Sequence, residues 1–149
     1  MTITLPLTIE NEYLPNLINV GASGDASLDH LIAPFSNYGK KMVDIFAPGM
    51  EIRCAIAGNG DQVASGTSLA SPIVAGIAAL LRSYFPALTA SEVVTIIKKS
   101  GIVVRENVNK PGTAEERVYL EELCNTGSIA NAANAVKMAI ALNSSTHAK

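Results

Sequence analysis

Two adjacent hydroxyl side chains stand between a glycine and a long apolar run, in the segment Ser65-Gly66-Thr67-Ser68-Leu69-Ala70-Ser71-Pro72. If a helix begins here, its first turn presents free backbone N–H groups and the positive end of the helix dipole. An oxyanion that develops beside Ser68 would be stabilised by those groups, so Ser68 is a candidate nucleophile. The alternative is that Thr67 or Ser68 is an N-cap, the usual role of Ser and Thr at a helix start.

The residues after this segment predict a helix over Ser68–Phe85, which Pro86 ends. Pro72 is tolerable because it falls in the first turn, where the N–H groups have no partner within the helix. Before Arg82 the helix is apolar on nearly every face, so we expect it to be buried on all sides. Small residues recur along it and would let it lie close against a sheet.

The remaining patterns predict strands before this helix and further helices after it, an order that indicates an α/β layer fold. Thr89 and Glu92 form a capping-box pattern that opens a second helix, which Gly101 ends. The predicted strands are 17–20, 43–47, 51–56 and 62–65; a loop or surface hairpin is expected over 105–122, a last helix over 131–142 and a frayed tail over 143–149.

Composition narrows the class of protein. The chain has 149 residues, one domain's length, and a formal net charge of −2 with scattered basic residues, which gives no reason to expect nucleic acid. The longest apolar run, 73–81, is too short to span a bilayer, and the N-terminus has no signal-peptide pattern. Cys54 and Cys124 do not form a zinc pattern; two free thiols, at least one of them buried, are expected, with a single bridge as the alternative.

The segment Gly66 to Gly76 resembles the serine motif of the subtilisin-like peptidase (subtilase) family, G-T-S-x-A-x-P-x-V-A-G, at every fixed position. The blocks Phe35-Ser36-Asn37-Tyr38-Gly39 and Val43-Asp44-Ile45-Phe46-Ala47-Pro48-Gly49 resemble the family's F-S-x-x-G and V-D-x-x-A-P-G blocks. The similarity covers about residues 11–141 of a partial catalytic domain that spans 1–149. It implies the C-terminal half of a three-layer parallel-sheet fold, with a buried central helix that starts at the nucleophile.

The resemblance also implies roles for individual residues. Ser68 would attack the scissile carbonyl, its own N–H would be one oxyanion donor, and Thr67 would support that site. Ser65 and Gly66 would lie along the substrate backbone, while Leu69 and Phe35 would flank the cleft, Phe35 on the leaving-group side. Asp44 falls where some relatives bind a cation weakly, calcium or another; its alternative is a strand-end aspartate in solvent.

The family's other catalytic residues are not recognisable here. The catalytic order is Asp, His, Ser, but neither a D-[ST]-G nor an H-G-T-H segment occurs, and Thr2 to Asn11 contain nothing like the A-A-G-N segment that carries the oxyanion asparagine. His30 and His147 are interpreted as surface residues. We therefore expect the aspartate, histidine and asparagine on a missing N-terminal part, and the isolated chain to be inactive.

Two hypotheses for function follow. The first is part of a serine endopeptidase that acts on peptides or proteins, needs no cofactor, and follows its family in secretion. The second is an inactive, truncated module that serves in binding or assembly. A third hypothesis, a lipase-type hydrolase, is weak because G-T-S-L-A is not the G-x-S-x-G motif. A buried sheet edge and one face of the Ser68 helix would lack cover, so we expect a complementary N-terminal fragment or self-association.

Overall fold

A computed structural model describes residues 14–27, 29–113 and 115–146 of the chain. A four-stranded sheet lies at its centre, with helices on one face and a hairpin on the other. In chain order the elements are β1 (Val20–Ser23), β2 (Ile45–Pro48), β3 (Ile52–Ile56), β4 (Gly60–Ala64), α1 (Thr67–Tyr84), α2 (Ala90–Ser100), β5 (Ile102–Val103), β6 (Asn107–Asn109), β7 (Arg117–Tyr119), α3 (Leu120–Leu123), β8 (Ser128–Ile129) and α4 (Ala132–Thr146).

The central sheet has the order β1-β2-β8-β5. The first three strands are parallel, with Val20 opposite Ile45 and Phe46 opposite Ile129, and β5 pairs antiparallel with β8 at the edge. Two antiparallel hairpins, β3–β4 and β6–β7, stand apart from this sheet. The predicted α/β fold with a parallel sheet is confirmed.

Alternation along β2 separates two hydrophobic clusters, because successive strand residues point to opposite faces. Ile45 and Ala47 face α1, α2 and α4, whereas Phe46 packs in a second cluster with Val108 and Leu120. The segment expected to be a polar loop or hairpin over 105–122 therefore does form a hairpin, but it carries fully buried residues of a second core.

The first strand is shifted from its predicted place. It was expected over 17–20 with Gly21 as its end, but it runs from Val20 to Ser23. A Cβ at Gly21 would overlap the Phe46 ring, so this glycine serves close packing inside the sheet rather than a turn. At the other end of the chain, α4 continues past the predicted boundary at Leu142, so residues 143–146 are helical; residues 147–149 lie outside the described part.

Helix α1 buries one face only within the described chain. Its buried residues are Ala70, Val74, Ile77 and Leu81. The opposite face is exposed, so the burial on all sides that its composition predicted is not reached among the described residues. The exposed α1 face consists of Ser71, Pro72, Ala75, Gly76, Ala79 and Leu80.

Candidate active site

The start of α1 places Ser68 at the surface. The helix cap is Gly66, and Thr67 and Ser68 are the first two helical residues. No side chain makes a capping hydrogen bond at this end. The alternative that Thr67 or Ser68 serves as the N-cap is therefore wrong. Ser68 is exposed, and its Oγ accepts and donates no hydrogen bond within the described part of the chain.

Gly66 gives the Ser68 hydroxyl its space. A Cβ built on Gly66 would stand 3.0 Å from Ser68 Oγ, closer than such contacts normally are. The backbone of Gly66 is extended (φ 165°, ψ 155°), a conformation that other residues adopt as well. The requirement for glycine is therefore the room beside the hydroxyl.

The turn that carries Ser68 is fixed on the carboxyl end of β2. The Gly66 N–H donates to the Gly49 carbonyl at 2.7 Å, and the Gly49 N–H donates to the Ser23 carbonyl at 2.9 Å. On the other side of the turn, Ser65 Oγ accepts from the Glu51 N–H at 2.9 Å. The Ala-Pro-Gly segment and the Gly-Thr-Ser segment, which are far apart in sequence, thus meet at one edge of the sheet.

Two backbone donors remain available beside the hydroxyl. The N–H groups of Leu69 and Ala70 both donate to the Gly66 carbonyl, at 3.0 and 3.3 Å. Those of Thr67 and Ser68 donate to no protein acceptor in the described residues. They lie at the positive end of an 18-residue helix, where a developing negative charge is stabilised.

Phe35 lies on a loop that runs along β1. Its neighbour Ser36 is buried, and Ser36 Oγ accepts from the Ala22 N–H at 2.8 Å. The Phe35 ring itself is 47% exposed. The loop Asp29–Gly39, called the Phe35 loop, is thus joined to β1. Strand β1 is in turn joined to Gly49 at the end of β2, and Gly49 is joined to the turn before Ser68.

Asp44 lies at the opposite end of β2 from this turn and is fully buried. Its Oδ1 is 2.6 Å from Lys98 Nζ, and its Oδ2 accepts from the Asn19 N–H at 2.9 Å. The alternative of a strand-end aspartate in solvent is therefore wrong. A calcium ion takes six to eight oxygen ligands, and the described residues contain no cluster of three or more acidic, His or Cys side chains. In this structure Asp44 pairs with the ammonium of Lys98, and a metal cation at Asp44 stays a prediction.

Among the described residues, Ser68 Oγ makes no hydrogen bond to a histidine, aspartate or glutamate side chain. His30 is exposed on the loop after β1, as expected for a surface residue, and His147 and Asn11 lie outside the described residues. Cavities of about 210, 310 and 400 Å³ in the described part are lined by residues other than Ser68. Ser68 is itself exposed, so its hydroxyl is open to solvent in the described part of the chain.

The two cysteines are free, which confirms the expectation of unpaired thiols, and Cys124 is the buried one.

Sequence reasoning missed the supports of the site. Ser36 and Gly49 were not predicted individually as supports. Both lie inside the sequence blocks that resemble the family, so those blocks were the available signal for them. Lys98 carried no signal, because a lysine pair near a helix end is typical of a solvated surface.

The chain matches the Subtilase family over residues 3–134. It belongs to the subtilase family. A subtilisin-like protease of Coccidioides posadasii is 41% identical over 98 residues, which are 66% of this chain and 23% of that protein. A thermophilic serine proteinase of Bacillus sp. strain AK1 is 51% identical over 76 residues, 51% of this chain and 18% of the relative. The family predicted from sequence is confirmed.

Solved subtilase structures share the fold. The A-subunit of the AB5 toxin from E. coli superposes with a TM-score of 0.65 at 27% identity, over 82% of this chain and 37% of that one. The patellamide maturation protease PatA gives 0.64 at 27% identity, over 86% and 44%. The chain thus spans about a fifth of the length of these curated relatives and less than half of these structures. Within the described residues, no helix is long and apolar enough to cross a membrane.

Proposed function

We propose that this chain is the nucleophile-bearing part of a serine endopeptidase, with Ser68 as the nucleophile. One observation carries the proposal: an exposed hydroxyl at the start of α1, beside two backbone N–H groups that have no protein acceptor in the described residues. A reacting carbonyl carbon placed on Ser68 Oγ would bring its oxygen to these donors. Such an arrangement stabilises the tetrahedral intermediate of acyl transfer.

The chemistry proceeds in two steps. Ser68 Oγ attacks the carbonyl carbon of the peptide bond while its proton passes to a base, and the N–H of Ser68 stabilises the oxyanion. The C–N bond then breaks, and the leaving amine takes the proton from the base. Water next gives a proton to the same base and attacks the acyl ester; the bond between the acyl carbon and Ser68 Oγ breaks, the acid leaves, and Ser68 takes the proton back. Thr67 supports the oxyanion site, Ser65 and Gly66 line the substrate backbone, and Leu69 and Phe35 flank the cleft.

The base and its orienting groups belong to another part of the protein under this proposal. Ser68 Oγ has no partner among the described residues, and a serine hydroxyl without a base is a weak nucleophile. We adopt the effect known for the loss of the histidine in subtilisin, roughly a million-fold in rate, or about 8 kcal/mol of barrier. An aspartate, a histidine and an oxyanion asparagine outside the described residues are therefore required, and the isolated chain is expected to be inactive.

The exposed α1 face supports a complementary part that packs on this chain. Gly76 lies in the middle of the helix, and among the described residues no atom beyond its chain neighbours and the helix's own backbone lies within 4 Å of a Cβ built on it. A glycine there costs the helix roughly 0.5–1 kcal/mol relative to alanine. This cost has a physical reason if another backbone approaches closely at this point. We infer that an N-terminal part of the domain, or failing that a second copy of the chain, covers this face, and that the complete protein is secreted like many peptidases of its class.

A fluorophosphonate probe, which labels an activated serine, tests the proposal. The 149-residue chain is labelled alone and after co-expression with the segment encoded upstream. We expect labelling at Ser68 only in the second case, and none in a Ser68→Ala variant. Ser91→Ala is the matched control, because Ser91 is also an exposed serine at the second position of its helix, α2, and its labelling should equal that of the wild type.

The two hypotheses give different outcomes. Strong labelling of the isolated chain would contradict the requirement for a separate base. Absence of labelling in every combination would favour the inactive binding or assembly module.

A further inference from the structure

We propose that the β6–β7 hairpin is a positioning device for the Phe35 loop (Asp29–Gly39), and that it thereby sets how firmly the leaving-group side of a peptide is held. This inference rests on the proposed function, in which Phe35 flanks that side of the cleft. The residues of the hairpin belong to no motif that the sequence analysis used.

The hairpin contacts the beginning of the loop at Asp29. Arg117 NH1 is 2.7 Å from Asp29 Oδ1, and Asn109 Nδ2 donates to the Asp29 carbonyl at 3.0 Å. The guanidinium is itself fixed, because its NH2 donates to the Asn107 carbonyl at 2.6 Å. Side chains from both strands of the hairpin therefore converge on one residue of the loop.

The loop is held again on either side of Phe35. The Gly112 N–H donates to the Pro34 carbonyl at 2.9 Å, directly before the aromatic residue. Farther along, the Gly39 N–H donates to the Leu123 carbonyl of α3 at 2.7 Å. These backbone contacts tie the loop to the segment that contains β6, β7 and α3 at two points that bracket Phe35.

A buried apolar contact lies beneath these polar ones. Ile32 of the loop is 3% exposed and belongs to the same cluster as Val108 of β6 and Leu120 of α3, which are fully buried. Burial of aliphatic side chains supplies the larger part of the attachment, since exposed ion pairs such as Arg117–Asp29 contribute little by themselves. The polar contacts instead fix the direction of the loop, on which a well-placed binding wall depends.

The attachment belongs to the second hydrophobic cluster, whereas α1, which carries Ser68, packs in the first. The loop also contacts β1, where the Ala33 N–H donates to the Ala22 carbonyl at 3.0 Å and Ser36 Oγ accepts from the Ala22 N–H. Loss of the hairpin contacts would therefore leave the turn before Ser68 in place. It would change the orientation of the Phe35 wall, so the effect should fall on the groups that occupy the leaving-group side.

The test compares two acceptors for the same acyl-enzyme in the complete protein, that is, this chain together with the upstream segment. An ester substrate with residues only on the acyl side measures the chemistry at Ser68. Added leucine amide competes with water for the acyl group and has to bind on the leaving-group side. The ratio of aminolysis to hydrolysis therefore reports that side alone.

In the double variant Arg117→Ala/Asn109→Ala we expect this ratio to fall about threefold or more, while ester hydrolysis without the amine stays within about twofold. The matched control is Glu116→Ala, which removes the Lys110–Glu116 pair inside the same hairpin and should leave the ratio unchanged. If the double variant does not fold, Arg117→Lys, which cannot keep both guanidinium contacts, is measured in its place and should lower the ratio in the same direction.

An unchanged ratio would overturn this inference, and so would an equal fall in both reactions, because a merely structural role lowers both together. A wild-type protein that hydrolyses no ester would overturn the proposed function itself and this inference with it.

Discussion

Ser68, the proposed nucleophile, has room for its hydroxyl because position 66 is a glycine. The Cβ of an alanine at position 66 would stand 3.0 Å from Ser68 Oγ, so the hydroxyl or the turn would have to shift by a few tenths of an ångström. Because the backbone at Gly66 is extended, alanine brings no conformational strain there. Catalysis and stability should therefore respond differently to this substitution.

We predict that Gly66→Ala lowers kcat/KM of the complete protein by about tenfold or more, since small displacements of reacting groups are costly. The free energy of unfolding should change by less than about 1 kcal/mol. Alanine lowers the conformational entropy of the unfolded chain, and this stabilising effect offsets the tighter contact in the folded state. Peptide hydrolysis and urea unfolding measure the two quantities. Activity within twofold of the wild type would show that the hydroxyl tolerates the shift.

The two cysteine thiols differ in burial, and we expect their reactivity to differ accordingly. Cys124 is fully buried, and this burial raises its pKa above the ordinary thiol value, although nearby Thr126, Gly127 and Ser128 groups oppose the shift through hydrogen bonds. Cys54 lies half-buried in β3. Since the thiolate is the reactive form, Cys54 should be alkylated by iodoacetamide at about pH 8 and Cys124 only after unfolding.

The raised pKa also predicts a pH dependence of stability. As pH rises past the ordinary thiol pKa, the unfolded chain releases the Cys124 proton before the folded chain does, so unfolding becomes more favourable. The contribution is complete below that pKa and is lost as pH rises towards the folded value. We therefore expect the difference in urea-unfolding free energy between wild type and Cys124→Ala to shrink from about pH 7 to about pH 10. A difference that stays constant over this range would contradict titration of Cys124 as the cause. Cys54→Ala is the control.

Helix α2 and strand β2 are joined by a charge pair rather than by apolar contacts alone. Asp44 precedes β2 and is fully buried, and Lys98 in the last turn of α2 reaches it with its side chain 23% exposed. Thr126 adds hydrogen bonds from its N–H and its hydroxyl to the Asp44 carbonyl, at 3.1 and 2.9 Å. The pair therefore fixes the helix against the start of the strand whose far end carries the Ser68 turn.

We predict that Lys98→Met destabilises the fold by about 3 kcal/mol, because it removes the positive charge that faces a buried carboxylate. Adding Asp44→Asn should recover most of this loss, since the buried charge is then removed. Lys99→Met is the matched control, as its side chain is exposed on the same helix turn and should change the unfolding free energy by less than about 0.5 kcal/mol. Equal effects of the Lys98 and Lys99 substitutions would exclude the pair as the cause.

The whole chain presents a surface that the described residues leave uncovered. The exposed α1 face is built from small and apolar side chains around Gly76, and in the described part β1 is the last strand on its side of the sheet. Exposed apolar faces and strand edges promote association. Light scattering of the isolated chain should therefore show oligomers or aggregates, and co-expression with the upstream segment should yield a defined complex.

Gly76→Ala separates the stability of the helix from the packing on it. In the isolated chain it should stabilise the fold by about 0.5–1 kcal/mol. Alanine favours the helix, and among the described residues its methyl group meets no atom beyond its chain neighbours and the helix's own backbone within 4 Å. In the complex it should weaken association, because the added methyl occupies the space of the approaching backbone. Asn134→Ala on α4 is the control, since it also favours a helix and is exposed but lies off the α1 face. Unchanged or stronger association in Gly76→Ala would contradict close packing at this face.

Local patterns anticipated much of the architecture. The capping box at Thr89 and Glu92 is present with both of its hydrogen bonds, and α1 begins one residue before its predicted start. Predictions failed where long-range contacts decided the outcome. Gly21 was interpreted as a strand end because the Phe46 ring, 25 residues away, gives no local signal. The alternative that placed Asp44 in solvent failed because Lys98, which pairs with it, lies 54 residues away in sequence.

The sequence by itself determined the family and the candidate nucleophile, because a long motif of glycines, hydroxyls and a proline has few other uses and its helix start is specified by adjacent residues. Only the tertiary structure decided that Gly49 supports the Ser68 turn, that Lys98 neutralises Asp44, and that the β6–β7 hairpin holds the Phe35 loop. Each of these depends on which side chains meet after the strands pair. Sequence spacing does not encode such meetings, since register and packing bring together residues that are far apart along the chain.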